Sequence, residues 1–329
     1  MKAIVVQAAS GTDGLVYKDI PDPEAGPDEI LVKIRATALN RADITQAQGG
    51  YSQPGPKPEF EVLGIEFAGE VAKVGYRAEG FDPGDRVMGL LPGGGYAQMA
   101  VTHPRLLARV PDELSWAEAG AVPEVFITAH DALVQVGLAS GESVLVHSVG
   151  SGVGVAAFQI ARVMGAGLVI GTAGSDAKVE KAKALGLDIG INYREEDFAS
   201  IVRDATMGYG VDVVIDLVGA EYWDRNIRSL AGKGRMVIVG MMGGNKVEAD
   251  LRHLVMKRLQ VKGTILRARP IEEKGAATQA FAKSVIPHLS AGRIKVVVDR
   301  VFPLAEAGAA LEYLATNQHF GKVVLEPPH

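Results

Sequence analysis

From about residue 143 onward, strand-like and helix-like segments alternate in the sequence. Six short runs rich in Val and Ile are separated by stretches with helical periodicity; the runs lie at 144–146, 168–171, 189–192, 211–216, 236–240 and 260–265. Such alternation implies crossover connections, which make neighbouring strands parallel. The sequence therefore predicts an α/β fold with a doubly wound, six-stranded parallel sheet.

A turn with almost no side chains joins the first of these strands to the first helix. It reads Gly150-Ser151-Gly152-Val153-Gly154. Small residues let a pyrophosphate approach the backbone, and the N-terminus of the helix offers free N–H groups. The strict Gly-x-Gly-x-x-Gly spacing fails because Val155 replaces the third glycine. The position between strand and helix still predicts a dinucleotide site at Ser151, Gly152, Val153 and Gly154.

The end of the second strand indicates which dinucleotide is bound. An NAD site places Asp or Glu there for the ribose 2′-hydroxyl, but this strand ends in Gly174-Ser175, and Asp176 lies beyond it, where a helix N-cap is expected. A 2′-phosphate instead needs hydrogen-bond donors and positive charge. Donors are supplied by Ser175, Lys178 and Tyr193, so we expect NADPH rather than NADH. Alternatively, Lys178 is an ordinary solvated helix lysine.

The remaining sequence belongs to a second kind of domain. Residues 1–122 contain short strand-like runs between Gly, Pro and Asp clusters, and the tail ends in another strand, Lys322-Val323-Val324-Leu325. We expect that tail to return to the first domain. The predicted domains are residues 1–122 with 268–329, and residues 123–267.

Further motifs support a family resemblance over essentially the whole chain. They are Ala38–Asp43, Leu90–Gln98, Pro123-Glu124 with Thr128-Ala129, Ser151–Gly154, Asn192-Tyr193, Tyr222-Trp223, Gly240–Gly244 and Gly321–Leu325. In these motifs the chain resembles the zinc-free quinone oxidoreductases of the medium-chain dehydrogenase/reductase family, the group of zeta-crystallin. It is most similar to the branch of the p53-inducible quinone oxidoreductase of animals.

The resemblance implies a β-rich, GroES-like catalytic domain, a Rossmann domain that binds NADPH, and a cleft between them. Asn40 and Tyr51 would face the nicotinamide and the acceptor, where Asn40 would donate to a carbonyl oxygen and Tyr51 would stack on the substrate. The other implied cofactor contacts are Thr128, Gly240, Met241, Met242, Leu266, Phe320, Gly321 and Lys322. Lys322 would meet a phosphate. Glu66 would be the ion-pair partner of a nearby arginine, and Arg267 would reach the cleft.

Each of these residues also has a simpler interpretation. Asn40 can cap a local turn, Tyr51 can be a surface tyrosine, and Thr128 can satisfy its own helix backbone. The methionines can be plain filling, and Arg267 with Arg269 can be a solvated pair.

The donor set argues against a catalytic zinc. The chain has no cysteine, and the resemblance places Asn40, Ile65 and Glu124 where zinc-dependent relatives have their ligands. Isoleucine cannot ligate a metal, and Asn40 and Glu124 alone would make a poor zinc site. Without a metal to polarise an alcohol, an electron-poor acceptor is the easier substrate. The first interpretation is therefore an NADPH-dependent quinone oxidoreductase. The second is a reductase of α,β-unsaturated carbonyls, and the third is a low-turnover NADPH sensor or RNA-binding protein.

Charge and edge exposure add predictions about partners. A formal net charge of −5 and the lack of a dense Lys/Arg run argue against nucleic acid. No apolar run reaches the length of a membrane span, and the absence of cysteine fits the cytoplasm.

The last strand of the parallel sheet, near 261–265, is expected to be an exposed edge that pairs across a two-fold axis. We expect a homodimer, with a tetramer left open.

Overall fold

A computed structural model describes residues 1–50, 55 and 58–328. The predicted contact residue Tyr51 lies outside the described residues. The strands are β1 (Lys2–Val6), β2 (Leu15–Asp19), β3 (Ile30–Ala38), β4 (Glu66–Val74), β5 (Arg86–Leu90), β6 (Met99–Thr102), β7 (Leu107–Arg109), β8 (Ser143–Val146), β9 (Leu168–Ala173), β10 (Ile189–Asn192), β11 (Val211–Asp216), β12 (Leu230–Ile238), β13 (Gln260–Gly263), β14 (Val298–Pro303) and β15 (Lys322–Glu326).

The α-helices alternate with strands in the middle of the chain and cluster near its end. They are α1 (Arg41–Ala47), α2 (Trp116–Gly120), α3 (Pro123–Gln135), α4 (Gly152–Val163), α5 (Asp176–Ala184), α6 (Phe198–Ala205), α7 (Trp223–Ser229), α8 (Arg252–Lys257), α9 (Ile271–Ser284), α10 (Ile286–Ser290) and α11 (Ala307–Ala315). Among the described residues, no helix has both the length and the apolar composition of a membrane span.

The chain divides into two compact units. The first comprises Met1–Ile127, Leu266–Gly292 and Val296–His329, and the second comprises Thr128–Ile265 and Arg293–Lys295.

The second unit contains the predicted parallel sheet. Its strand order is β10-β9-β8-β11-β12-β13, and all five pairings are parallel. This is the order of a doubly wound, Rossmann-type domain, so that prediction is confirmed. The core beneath the helices includes Leu145, Ile170, Phe198 and Val214, all fully buried. The carboxyl ends of β8 and β9 meet at one edge of the sheet, where such folds bind ligands.

The first unit is β-rich. Strands β14, β15, β3, β4, β5 and β7 follow one another in a sheet, and β6 also pairs with β3. The tail strand β15 pairs parallel with β14 and antiparallel with β3, with Val324 opposite Ala38. The tail strand therefore lies in the same sheet as β3. This pairing brings Lys322 next to residues near the end of β3.

Candidate functional site

The glycine turn of the second unit has the form of an anion-binding helix start. Ser148 lies in the left-handed region, with φ at 56°. Ser151 is the N-cap of α4, and its hydroxyl accepts a hydrogen bond from the Gly154 amide at 3.1 Å. The amides of Gly152 and Val153 lie in the first turn, where a helix has no backbone acceptor of its own. The turn therefore presents N–H groups and the positive end of the helix dipole.

Close packing explains two of the glycines. A Cβ at Gly154 would lie 2.1 Å from the carbonyl oxygen of Ser148, so only glycine lets the helix start this close to the turn. Gly154 thus performs the packing task that the strict motif gives to its third glycine, which is the position of Val155 here. A Cβ at Gly150 would lie 2.8 Å from Cδ of Lys178. The Lys178 side chain therefore lies against the glycine turn.

The end of β9 is surrounded by hydrogen-bond donors. A Cβ at Gly174 would lie 2.7 Å from the Tyr193 hydroxyl and 3.5 Å from Nε of Arg194. Ser175 is the N-cap of α5, and its side chain makes no capping hydrogen bond. Sequence reasoning missed Arg194, although it directly follows Tyr193 after the end of β10.

Asp176, the carboxylate that follows this strand end, is engaged elsewhere in the unit. It is the first residue of α5, not its N-cap as predicted. Its Oδ1 accepts a hydrogen bond from Nδ2 of Asn192 at 2.9 Å. The carboxylate is therefore held at the end of β10.

A buried histidine, His147, lies directly before the glycine turn. Nδ1 of His147 is 2.9 Å from the Thr172 hydroxyl, and Nε2 is 2.7 Å from Oδ1 of Asn226. The ring packs edge-on against Phe198 and Tyr222, each with a centroid distance of 4.9 Å. Burial lowers the pKa of His147 to about 4, although the Asn226 hydrogen bond opposes this shift. The ring is therefore neutral at physiological pH and acts as a structural support.

The other predicted cofactor contacts of the second unit differ in solvent exposure. Thr128 is half-buried in the middle of α3, and its Oγ1 is buried without a hydrogen-bond partner among the described residues. Gly240, Met241 and Met242 follow β12, and both methionines are exposed, at 60% and 63%. They are therefore not core filling.

The remaining predicted contacts belong to the first unit. Leu266 and Phe320 are buried, at 6% and 4% exposure. The Phe320 amide donates to Oδ1 of Asp299 at 3.0 Å. Gly321 has φ at 91°, and a Cβ there would lie 2.3 Å from the carbonyl oxygen of Val297. Gly321 thus allows the tight approach that starts β15.

Lys322 lies at the centre of a buried polar group in the first unit. We call this group the Glu66 cluster; it consists of Asn40, Asp43, Glu66, Tyr96, Glu124 and Lys322. The Lys322 ammonium donates to Oε1 of Glu66 at 2.8 Å, to Oδ1 of Asn40 at 2.7 Å and to the Leu39 carbonyl at 2.6 Å. An ammonium has three donors, so the predicted phosphate contact of Lys322 does not fit this geometry. The prediction that Glu66 is an ion-pair partner is confirmed, but its cation is this lysine and not an arginine.

Asn40 joins the cluster to the start of α1. Its Nδ2 donates to Oε1 of Glu66 at 2.8 Å and to the Ala38 carbonyl at 3.2 Å. Both amide hydrogens are therefore used within the chain, and the predicted donation to an acceptor carbonyl does not fit. Asn40 is the N-cap residue of α1, and its backbone N–H donates to Oδ2 of Asp43 at 2.7 Å. The interpretation as a local cap is the one this geometry favours.

Two carboxyls of the cluster have raised pKa values. Glu124, at the start of α3, donates its backbone N–H to Oε2 of Glu66 at 2.8 Å. Burial, and next the nearby Glu66, raise the pKa of the Glu124 carboxyl to about 8. Burial raises the pKa of Asp43 to about 6, although its hydrogen bonds to Asn40 and Tyr96 oppose this shift. Glu124 belongs to one of the motifs that carry the family resemblance, but sequence reasoning considered it only as a match to a zinc-ligand position of relatives.

Arg267 is part of the interior and not a solvated residue, because it is only 5% exposed. Its guanidinium donates to the Pro92 carbonyl, at 3.0 Å from Nε, and to Oε1 of Gln46 at 2.7 Å. Arg267 therefore ties the segment after β13 to the loop that follows β5.

Two family models match the chain. Residues 26–112 match the alcohol dehydrogenase GroES-like domain, and residues 152–283 match the zinc-binding dehydrogenase model. In this chain, which lacks cysteine, no group of three or more His, Asp or Glu side chains among the described residues is placed to hold a metal ion.

Several known proteins are similar along nearly the whole chain. Quinone oxidoreductase of Pseudomonas aeruginosa is 33% identical over 99% of both chains. Erythronolide synthase EryA2 of Saccharopolyspora erythraea is 38% identical over 98% of this chain, which spans only 9% of that synthase.

Solved structures agree with these matches. The Escherichia coli quinone oxidoreductase complexed with NADPH has a TM-score of 0.86 and 27% identity, covering 99% of this chain and 100% of that one. An NAD-dependent alcohol dehydrogenase has a TM-score of 0.87 and 34% identity, covering 99% of both chains. The fold, the two family models and the full-length relatives agree, and the chain belongs to the medium-chain dehydrogenase/reductase family, within its quinone oxidoreductase group.

Proposed function

We propose that this chain is an NADPH-dependent oxidoreductase that reduces quinones. The observation that carries the proposal is the end of β9, where the Tyr193 hydroxyl and the Arg194 guanidinium lie beside Gly174 while Asp176, the adjacent carboxylate, is bonded to Asn192. A 2′-phosphate is stabilised by such donors and repelled by a carboxylate. The NADPH complex of the E. coli relative supports this choice, whereas the similarity to an NAD-dependent alcohol dehydrogenase makes it a point to test.

The residues of the second unit fit a dinucleotide. Gly150 and Gly154 lack the Cβ atoms that would narrow the turn. Oγ1 of Thr128, which has no partner in the described part of the chain, is a donor that a ribose hydroxyl would satisfy. Ser151, Gly152 and Val153 would hold the pyrophosphate at the start of α4. Lys178, Tyr193 and Arg194 would hold the 2′-phosphate. When bound, NADPH supplies a hydride; the protein binds and orients it.

A second acceptor class is a conjugated carbon–carbon double bond next to a carbonyl. The similarity to a segment of erythronolide synthase EryA2, a protein that is not named for quinones, supports this second class. Both candidates use the same cofactor site. The two candidate functions differ only in the acceptor that is reduced.

Cofactor choice is tested by fluorescence titration with NADPH and NADH. We expect tighter binding of NADPH, and a loss of this preference by about tenfold or more in Lys178→Ala and Arg194→Ala, since each removes a charge-assisted contact worth about 1.5–3 kcal/mol. Lys183→Ala, an exposed lysine of the same helix, is the matched control. A preference for NADH in the wild-type protein would overturn the NADPH assignment.

Acceptor choice is tested by NADPH oxidation with an ortho-quinone and, separately, with a medium-chain enal. Turnover with the quinone supports the first proposal. Turnover with the enal alone moves the function to double-bond reduction. Tight NADPH binding with neither reaction would contradict both and support a sensor.

The chain is further proposed to act as a homodimer. Strand β13 is an edge of the parallel sheet among the described strands. Apolar side chains near it are exposed, among them Leu251, Val255, Met256 and Ile265. An unpaired edge beside exposed apolar groups is typical of a surface covered by a second copy.

A further inference from the structure

The Glu66 cluster contains more carboxyl groups than cations. Glu66, Asp43 and Glu124 lie around one ammonium, that of Lys322. Glu66 has both oxygens engaged: Oε1 accepts from Lys322 and Asn40, and Oε2 accepts from the Glu124 amide. Lys322 and Glu66 thus form a charge-assisted pair in which all three ammonium donors are used. The single ammonium is then balanced, and a second buried negative charge would be unpaired.

Glu124 is the carboxyl of the cluster that is placed to exchange a proton. Glu66 and Asp43 are fully buried and Lys322 is 5% exposed, whereas Glu124 is only partly buried. Asp43 shares Oδ2 between the Asn40 amide and the Tyr96 hydroxyl. In contrast, among the described residues the Glu124 carboxyl has no hydrogen bond or ion pair, and only its backbone is anchored.

Charges on several elements act on the Glu124 carboxyl. Glu66 on β4 and Asp43 on α1 favour its neutral form, whereas Lys322 on β15 and Arg267 favour the carboxylate. Lys274 on α9 also interacts with it electrostatically. Lys322 and Arg267 therefore offset part of the charge of a Glu124 carboxylate, whereas burial and the other two carboxyls favour its neutral form.

Glu124 and Thr128 are four residues apart on α3, which is about one helical turn. Residues with this spacing lie on the same face of a helix. The buried hydroxyl of Thr128 has no partner among the described residues and is the donor proposed for a ribose hydroxyl of the cofactor. The helix thus carries an unengaged carboxyl and an unsatisfied hydroxyl along one line.

We propose that Glu124 is protonated in the resting protein and supplies the proton that completes reduction of the acceptor, with Glu66 and Lys322 as positioning residues. This inference rests on the proposed function. Once the acceptor has received a hydride, its oxygen carries a negative charge. The O–H bond of Glu124 then breaks and a new O–H bond forms on the acceptor. The resulting carboxylate is offset by Lys322 and Arg267 and regains its proton from water.

The first test is infrared difference spectroscopy of the protein without cofactor. The wild-type protein should show the carbonyl stretch of a protonated carboxylic acid at pH 7, and this band should titrate away near pH 8. The band should be absent in Glu124→Gln and retained in Glu113→Gln, which changes an exposed carboxyl. A band that is unchanged in Glu124→Gln, or no band at pH 7, overturns the proposal.

The second test is the pH profile of turnover together with NADPH affinity. Glu124→Gln should lower kcat by about 10²-fold, the size of a general acid contribution, and remove the decline of kcat above pH 8. Its Kd for NADPH should stay within about twofold, and Glu124→Asp should restore part of kcat. If wild-type turnover is present and Glu124→Gln keeps both kcat and its pH profile, this inference fails alone. If the wild-type protein turns over neither acceptor, the proposed function fails, whatever the infrared result.

Discussion

At the scale of single residues, the Glu66 cluster shows how a buried charge is retained in a β-rich unit. The Lys322 ammonium fills all its donors with Glu66, Asn40 and a backbone carbonyl. A buried pair of this kind is a weak source of net stability, because desolvation offsets most of the attraction. Breaking it is costly, because the remaining charge is then buried alone.

Replacing Lys322 with methionine should therefore destabilise the protein strongly. We expect the free energy of unfolding to fall by about 3–5 kcal/mol, because Glu66 loses its cation. Lys283→Met, at an exposed position on α9, should change it by less than about 0.5 kcal/mol. Urea denaturation followed by circular dichroism measures both. Equal stability of the two variants would show that Glu66 finds another partner.

Stability should also depend on pH through Glu124. Its pKa is about 8 in the folded protein, against an ordinary value of 4.5. The folded state therefore binds more protons than the unfolded state between these values, and the free energy of unfolding falls as pH rises through this window. The comparison of pH 6.5 with pH 8 avoids most of the contribution of Asp43, whose pKa is about 6.

In urea denaturation, Glu124→Gln should flatten this decline, whereas Glu113→Gln should leave it unchanged. A decline of the same slope in both variants would assign the pH dependence to other groups.

At the scale of elements, the junction of β8 and α4 is the part that the sequence predicts best. Strand, turn and helix are each set by local periodicity, so their order could be predicted without tertiary contacts. Strand β12 was harder. The strand begins at Leu230, whereas the sequence predicts a start near 236. The earlier start could not be predicted, because Gly232, Lys233 at φ 65° and Gly234 interrupt the apolar pattern. Gly154 was predicted as part of the turn, but its packing role could not be, because that role depends on a contact with the Ser148 carbonyl and not on motif position.

Gly154→Ala should disturb this junction. The added Cβ would lie 2.1 Å from the Ser148 carbonyl oxygen, so backbone must move. We expect a loss of about 1–3 kcal/mol in the free energy of unfolding and a clear loss of NADPH affinity. Gly232→Ala is the control, because nothing lies within 4 Å of its Cβ position. Thermal denaturation and NADPH titration of both variants test this, and an unchanged Gly154→Ala protein would mean that the helix start can shift freely.

At the scale of the whole molecule, function depends on pairings that the sequence cannot reveal. The Lys322 contact joins residues 256 positions apart, so local patterns could not assign its partner. The resemblance placed Lys322 and Asn40 near the cofactor, but the geometry gives both of them hydrogen bonds within the first unit. Alternation of strands and helices, in contrast, was enough to predict a doubly wound parallel sheet.

The proposed dimer is a prediction at this scale. Val255→Glu combined with Met256→Glu should convert a dimer into monomers, because two charges would be buried in an apolar interface. Met207→Glu changes a similarly exposed methionine outside the segment 251–265 and should leave the mass in solution unchanged. Light scattering at micromolar concentration measures the mass. A wild-type protein with the mass of one chain would refute the dimer.

The distance in sequence between Glu66 and Lys322 has a consequence for the chain as it is synthesised. Ribosomes add about 5–20 residues per second, so roughly 13–50 s separate the appearance of the carboxylate from that of its ammonium partner over 256 residues. Throughout that interval β3 lacks β15 on one side, and Glu66 lacks its cation. The second unit, whose sheet is complete by Gly263, can finish folding earlier on the ribosome than the unit that contains Glu66 and Lys322.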